Sequence, residues 1–323
     1  MTDTHNNSAL DYYVLDVFTA QRLQGNPLAV FLDPGTLSTA MMQDIAREMN
    51  LSETTFVQRR ASGIESAEGI RVRIFTTEEE LNFAGHPTLG TASLLRNIAP
   101  EALDNSTIRL ALNVGTVPVC FEDQRGEDPW PVKGTMTQKD PTFGAVLAPA
   151  EVAGLIGLDL AELDPDLPAQ VVSTGTAFAL VPLRSAAALE RLRVRQEEAT
   201  AYLRARSARW FYVLGPTGST APGEPAWRAR MQFNGGEDPA TGSAAGCAIS
   251  HLVARGAVPS GVTIHLRQGV EIRRSSDLFL SARQLTAQTL SHPSQIDTPI
   301  AGIGEVRVGG STVLVAKGQL FLP

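Results

Sequence analysis

A histidine and an aspartate stand at matched places in two near-copies of one motif. Asn82-Phe-Ala-Gly85-His86-Pro87-Thr-Leu-Gly90-Thr91-Ala92 and Asn234-Gly-Gly-Glu-Asp238-Pro239-Ala-Thr-Gly242-Ser243-Ala244 superimpose in one register, with His86 on Asp238, Pro87 on Pro239, Gly90 on Gly242 and Thr91 on Ser243. Each segment runs from a loop into an alanine- and leucine-rich stretch, so each reads as a helix entrance with a titratable or charged side chain just ahead of the first turn. Two helix N-termini facing one cleft would hold an anion between them. His86 is a poor N-cap but a good proton carrier near neutral pH. Asp238 is open to either use, as the N-cap of the second helix or as an acid/base group. Glu53, in Asn50-Leu-Ser-Glu53-Thr-Thr-Phe-Val57, stands at the mouth of a strand, and the corresponding approach in the second half holds Ala208 and Arg209 instead. One unpaired carboxylate suits a reaction in which a single group removes a proton and returns it on the same face. The ordinary alternative for Glu53 is a turn-closing or solvent-facing side chain.

Gly85, Gly90, Gly242 and Gly246 leave room for a ligand near the backbone, and Thr91 and Ser243 can donate hydroxyl hydrogen bonds. Close helix packing is the other use of these glycines and the better one for Gly246. Asn26 and Pro27 shape a turn that lines a cleft, or simply a turn.

The elements that must position these groups come in the same order twice. Residues 13–18 and 28–32 have strand character across Gly25-Asn26-Pro27. Residues 39–50 have helical spacing, with Met42, Ile45, Ala46 and Met49 on one face. Strands at 54–57 and 70–75, a small apolar helix at 87–95 and paired strands about Gly115 over 107–121 complete the first set. The second set has strands at 171–174 and 177–181 about Gly175-Thr176, a helix over 186–205, strands at 210–214 and 227–233, a loop at 216–225 and a buried helix to Ala254. Strands follow at 262–266, 270–273 and 278–281, and the chain closes with a hairpin at Gly309-Gly310.

A helix apolar on nearly all sides must be surrounded, and each half offers the strands to do it. The expected fold is therefore α+β: two pseudo-symmetric domains, each a curved sheet or barrel wrapped around a central helix. The join falls in the Pro-, Gly- and charge-rich stretch 122–143. This gives an N-terminal half over residues 1–125, to which the terminal strands near 311–323 can return, and a C-terminal half over 126–310. A dinucleotide-binding sheet would need a GxGxxG turn near the start, which is lacking.

Composition narrows the partners. The 323 residues carry a formal charge of −7 with only 27 Lys and Arg, which disfavours nucleic acid and anionic membranes. No apolar run is long enough to span a bilayer, and the polar N-terminal residues lack the pattern of a secretory signal. Cys120 and Cys247 are read as inert buried thiols in a reducing cytoplasm rather than as a disulfide. His251, His265 and His292 have no spaced His, Asp or Glu partner, so no metal site is expected.

Together, Asp16-Val-Phe18, Gly25-Asn26-Pro27-Leu-Ala-Val, Leu51-Ser-Glu53-Thr-Thr-Phe-Val, Phe83-Ala-Gly-His86-Pro-Thr-Leu-Gly-Thr-Ala and Glu237-Asp238-Pro-Ala-Thr-Gly-Ser-Ala-Ala-Gly246 resemble the PhzF family of phenazine-biosynthesis-like proteins. The resemblance runs over nearly the whole chain in order. It implies the diaminopimelate epimerase-like fold, a homodimer, and isomerisation by proton transfer without metal or organic cofactor. By the same resemblance Glu53 is the general acid/base, His86 and Asp238 support it, and groups around Gly85, Gly242 and Ser243 bind a substrate carboxylate and ring substituents. Epimerases of the wider fold family use one cysteine from each half. Those positions fall at Pro87 and Pro239 here, and proline carries no proton. The segment before Asp238, and Arg273-Arg-Ser-Ser, depart from the family pattern and leave the substrate open.

The leading expectation is a cofactor-independent isomerase of a small carboxylate-bearing metabolite. In it a buried Glu53, its pKa raised by desolvation, abstracts and redelivers a proton. His86 and Asp238 would orient an amino or hydroxyl group or shuttle a second proton. An amino-acid or hydroxy-acid racemase and a non-catalytic metabolite-binding protein are the alternatives.

Overall fold

Runs of apolar residues make β1 (Ala9–Val17) and β2 (Asn26–Asp33), which pair antiparallel from Tyr12 opposite Phe31 to Val17 opposite Asn26. In this computed structural model the described residues are 9–33, 35, 37–122, 128–233, 235–285 and 302–322. The polar tail at 1–8, Asn234 and His292 lie outside them. The chain divides into two units, one of Met1–Gly134 with Ser311–Pro323 and one of Thr135–Gly310.

In the first unit the turn between β1 and β2 is a specific piece of chemistry. Gly25 has φ +69°, and a Cβ there would lie 2.4 Å from the Val17 carbonyl oxygen, so only glycine fits. The buried Asp16 accepts the Leu23 N–H at 2.6 Å and ties the turn to the strand before it. Helix α1 (Thr39–Met49) starts at Ser38, whose hydroxyl accepts the Met41 N–H, and ends at Asn50 in the left-handed conformation. Its Met42, Ile45 and Ala46 pack on Phe31, Phe56 and Phe75, and the Phe31 and Phe56 rings stack at 5.4 Å.

Strand β3 (Thr54–Gln58) then lies parallel to β2. The short α2 (Ser62–Glu68) leads to β4 (Ile70–Phe75), antiparallel to β3, and β5 (Glu80–Leu81) pairs with β4. Helix α3 (Gly85–Ile98) is buried from Gly85 to Leu95 and touches β1, β2 and β3. It also touches β6 (Thr107–Leu112), parallel to β4, and β7 (Gly115–Phe121), antiparallel to β6. A Cβ on Gly90 would lie 2.7 Å from Leu28 and Val17 methyls, so this glycine seats the helix on the sheet. Thr91 Oγ1 is spent on Thr55 Oγ1 at 2.9 Å rather than offered to a ligand.

The chain passes into the second unit within β8 (Val132–Thr137). There β9 (Thr142–Val146), α4 (Pro149–Ile156), β10 (Gln170–Ser173) and β11 (Ala177–Pro182) follow, with β10 antiparallel to both β9 and β11. Helix α5 (Gln196–Arg204) connects β11 to β12 (Trp210–Pro216), which is parallel to β11 and antiparallel to β13 (Trp227–Arg230). The small pair β14 (Gln232–Phe233) and β15 (Gly236–Glu237) precedes α6 (Gly242–Ala254), buried from Gly242 to Val253 and packed on β10 and β11. Strand β16 (Ile264–Gln268) is parallel to β13 and antiparallel to β17 (Ser276–Gln284), which also touches α6. Last comes β18 (Ile303–Phe321), whose first part pairs with β17 and whose residues from Thr312 onward pair with β1. Each unit is thus an α+β sheet wrapped around one apolar helix, with the same sequence of parallel and antiparallel pairings.

Four expectations are corrected. The helix over 186–205 is broken, with a 3-10 turn at Ala186–Arg191 and α5 beginning only at Gln196. The residues between turn their N–H groups elsewhere: Arg193 to Ile156 O, Arg195 to Leu155 O and Val194 to Gln232 Oε1. Residues 270–273 form a turn, not a strand, because Gly269 and Arg273 both have positive φ and Arg274 N–H closes on Gly269 O. Gly309-Gly310 makes no hairpin: β18 runs straight through and changes partner there. Cys247 is buried but Cys120 is exposed, because it faces outward on β7; both thiols are free.

Candidate active site

Glu53 ends the loop that follows α1 and immediately precedes β3, while His86 occupies the first turn of α3. The parallel β2–β3 crossover and the helix packed beneath it bring these two side chains together from 33 positions apart. His86 Nε2 lies 3.4 Å from Glu53 Oε2, with the Glu53 side chain 17% exposed and that of His86 only 4%. On the other edge of the ring, His86 Nδ1 meets Asn26 Nδ2 at 3.2 Å. Burial holds the His86 pKa down to about 3, so the imidazole is neutral at physiological pH. The pair is therefore a neutral imidazole facing a carboxylate rather than an ion pair. His86 Nε2 makes no hydrogen bond among the described residues.

Asp238 belongs to the second unit and is held quite differently. Its carboxylate Oδ2 accepts the Thr241 hydroxyl at 2.6 Å, and its backbone N–H donates to Met231 O. Gln268, at the end of β16, donates from Nε2 to the Asp238 carbonyl at 2.8 Å and to Thr241 Oγ1 at 2.9 Å. The Oε1 of the same amide accepts the Thr241 N–H at 3.1 Å and the Tyr212 hydroxyl at 3.0 Å. Tyr212 is fully buried, and burial together with the Asp238 charge pushes its pKa well above the usual range, so it stays a neutral donor. One residue earlier, Glu237 is paired with the buried Arg230 at 2.5 Å, which fixes the chain entering the site.

The motif repeat is therefore not repeated in detail. Helix α3 begins at Gly85 and includes His86, whereas α6 begins at Gly242, four positions beyond Asp238. Asp238 is not the N-cap; that place is taken by Thr241. Ser243 is buried in the first turn of α6, next to Gly242, whose carbonyl accepts from Gln138 Nε2 at 2.8 Å. Gln138 Oε1 in turn accepts the Thr174 hydroxyl at 2.7 Å. A Cβ on Gly246 would lie 2.0 Å from that oxygen, so Gly246 serves packing. Sequence reasoning missed Gln268, Tyr212, Gln138 and Arg230. They belong to no local motif: Tyr212, Arg230 and Gln268 lie on β12, β13 and β16, and Gln138 stands just past the end of β8.

Among the described residues no group of three or more His, Cys, Asp and Glu side chains gathers to hold a metal ion. No helix among the described residues is long and apolar enough to cross a membrane.

Known proteins carry the same frame. The family model for phenazine biosynthesis-like protein, PhzC-PhzF, matches residues 15–318. A trans-2,3-dihydro-3-hydroxyanthranilate isomerase from Pseudomonas aeruginosa is 36% identical over 318 residues, covering 96% of this chain and 99% of that protein. The crystal structure of a PhzF-family phenazine biosynthesis protein from Bacillus anthracis superimposes with a TM-score of 0.79 at 22% identity, over 98% of this chain and 100% of the other. A predicted epimerase of known structure from Pseudomonas aeruginosa gives a TM-score of 0.77 at 32% identity, over 97% and 100%. With a family match over nearly the whole chain and a relative above 30% identity across both chains, this protein belongs to the PhzF family and is an isomerase with the diaminopimelate epimerase-like fold.

Proposed function

We propose that the protein isomerises a small carboxylate-bearing metabolite by moving one proton, with Glu53 as general acid/base and no cofactor. The observation that carries this is the Glu53–His86 contact at 3.4 Å, a partly exposed carboxylate beside a buried neutral imidazole. An imidazole whose pKa lies near 3 is a weak proton shuttle at neutral pH. His86 therefore orients, as a hydrogen-bonding partner of Glu53 or of the substrate, and Glu53 moves the proton. Asp238, fixed through Thr241 and Gln268, accepts from the substrate's amino or hydroxyl group. Gly85, Gly242 and Ser243 bind the substrate, the helix N-termini favouring its carboxylate. The substrate class is that of the Pseudomonas aeruginosa relative, a dihydro-hydroxyanthranilate or a close cyclic carboxylate. The family resemblance further supports a homodimer in the cytoplasm, which sedimentation at graded concentrations and cell fractionation test.

Incubation of the enzyme with trans-2,3-dihydro-3-hydroxyanthranilate in deuterated water, followed by NMR, tests the reading. A double-bond shift with deuterium delivered to one carbon supports it. No conversion and no exchange across a panel of cyclic carboxylates would leave a binding protein instead. The name of the 32%-identical predicted epimerase favours a second reading, stereoinversion. Deuterium entering a stereocentre with loss of optical activity, and no double-bond shift, is the result that selects it.

A further inference from the structure

Asn26 stands at the head of β2, completely buried, where the Gly25 turn delivers it opposite Val17. Its amide faces α3 and reaches the edge of the His86 ring that points away from Glu53. A buried primary amide next to an imidazole has a chemical consequence. The Nδ2 group carries only hydrogens and can only donate, so the ring atom it meets at 3.2 Å must accept. A neutral imidazole has one N–H, and if Nδ1 accepts, that hydrogen is on Nε2.

We infer that Asn26 is a positioning residue that locks His86 in the Nε2–H tautomer, so that a hydrogen-bond donor rather than a lone pair faces the carboxylate of Glu53. In the other tautomer Nδ1–H would face the Nδ2 hydrogens of Asn26 at 3.2 Å, a repulsive contact, and the Nε2 lone pair would lie 3.4 Å from Glu53 Oε2, which is repulsive as well when Glu53 is ionised. The low pKa imposed by burial acts in the same direction, since it denies the ring the second proton that would make the choice irrelevant. Among the described residues the second unit has no such pair. Just before the Gly175-Thr176 turn Thr174 donates to Gln138, and the carboxylate at the matched motif position is Asp238, which has no tautomer to select.

The consequence for catalysis rests on the proposed role of Glu53, but the tautomer itself does not. It is read directly by nitrogen-15 NMR of the histidine side chains in the ligand-free full-length protein, with His86 assigned by its loss in H86Q. The wild type is expected to show His86 with a pyrrole-type Nε2 and a pyridine-type Nδ1 at neutral pH. In Asn26→Asp, nearly the same size, the new carboxylate accepts from Nδ1, so the signature inverts or both nitrogens become protonated. In Asn26→Leu the two tautomers become mixed. A wild-type His86 protonated on Nδ1, or an N26D spectrum indistinguishable from wild type, overturns the inference, and N26D keeps the test available if N26L does not fold. Proton exchange into trans-2,3-dihydro-3-hydroxyanthranilate is measured alongside, with N26D expected to slow it at least tenfold. An inverted tautomer with unchanged exchange would uphold the lock and count against the catalytic use of His86.

Discussion

The two units share one wiring diagram and differ in how the polar group at the motif is held. In both, an antiparallel pair leads through an outer helical segment to a parallel strand, then to an antiparallel one, and so to a buried helix. In the first unit the group at the motif is His86, supported on one side by Asn26 and facing Glu53 at a distance longer than a good hydrogen bond. In the second it is Asp238, whose carboxylate and carbonyl are both engaged by Thr241 and Gln268. The first arrangement sets a buried neutral imidazole beside a partly exposed carboxylate; the second fixes an acceptor. Duplication supplied two equal frames that are filled unequally, and the proposed chemistry uses that difference.

The clamp on Asp238 is the easiest part of this contrast to break. Gln268→Leu keeps the volume but strands the Tyr212 hydroxyl, the Thr241 N–H and the Asp238 carbonyl, at about 1–3 kcal/mol for each group left unpaired. Urea unfolding should show a loss of about 3 kcal/mol or more, and substrate affinity should fall with it. The seats of the two central helices come next. Gly90→Ala pushes a methyl against flexible Leu28 and Val17 side chains, whereas Gly246→Ala forces aside a Gln138 already bonded at both ends. Overpacking of this kind costs about 1–3 kcal/mol, and G246A should sit at the upper end and G90A at the lower in the same assay.

Acid separates the units less sharply, because each central helix buries one neutral histidine. Burial lowers the pKa of His86 to about 3 and that of His251 to about 4, from an ordinary 6.5. Between the folded and unfolded values the unfolded chain holds the proton and the folded chain does not, so stability is flat above pH 6.5 and falls as pH drops below it. The slope approaches about 1.4 kcal/mol per pH unit for each histidine. His251→Gln should remove its share of that slope above about pH 5, before the carboxylates contribute. Thermal melts at stepped pH measure this. The smallest effect is at the surface: Ser38→Ala removes the cap of α1 and should cost about 1 kcal/mol without changing turnover.

Much of this was legible before any coordinates. The doubled motif announced two buried helices, because a segment as apolar as 242–254 has no face for water, and the strands around each followed from alternation and glycine turns. What could not be read was anything set by pairing across long separations. The contact of Glu53 with His86 depends on the β2–β3 crossover, and Gln268 reaches Asp238 only because β16 lies beside β13. Asn26 read as a turn residue. Its one distinguishing signal was a polar side chain at the start of an otherwise apolar strand, after a glycine that the turn already explained. The break between 191 and 196 was hidden for the same reason, since the groups that capture its N–H donors lie on α4 and β14.

On the proposed reading Glu53 moves the proton and Asp238 only holds the substrate. Comparing Glu53→Gln with Asp238→Asn tests it most directly, by following deuterium entry from solvent into trans-2,3-dihydro-3-hydroxyanthranilate by NMR and binding by calorimetry. E53Q should bind nearly as wild type while its exchange falls by about 10²–10⁴-fold, and D238N should bind more weakly yet still exchange once saturated. Equal exchange in E53Q and wild type, or exchange abolished in saturated D238N but kept in E53Q, would contradict the account.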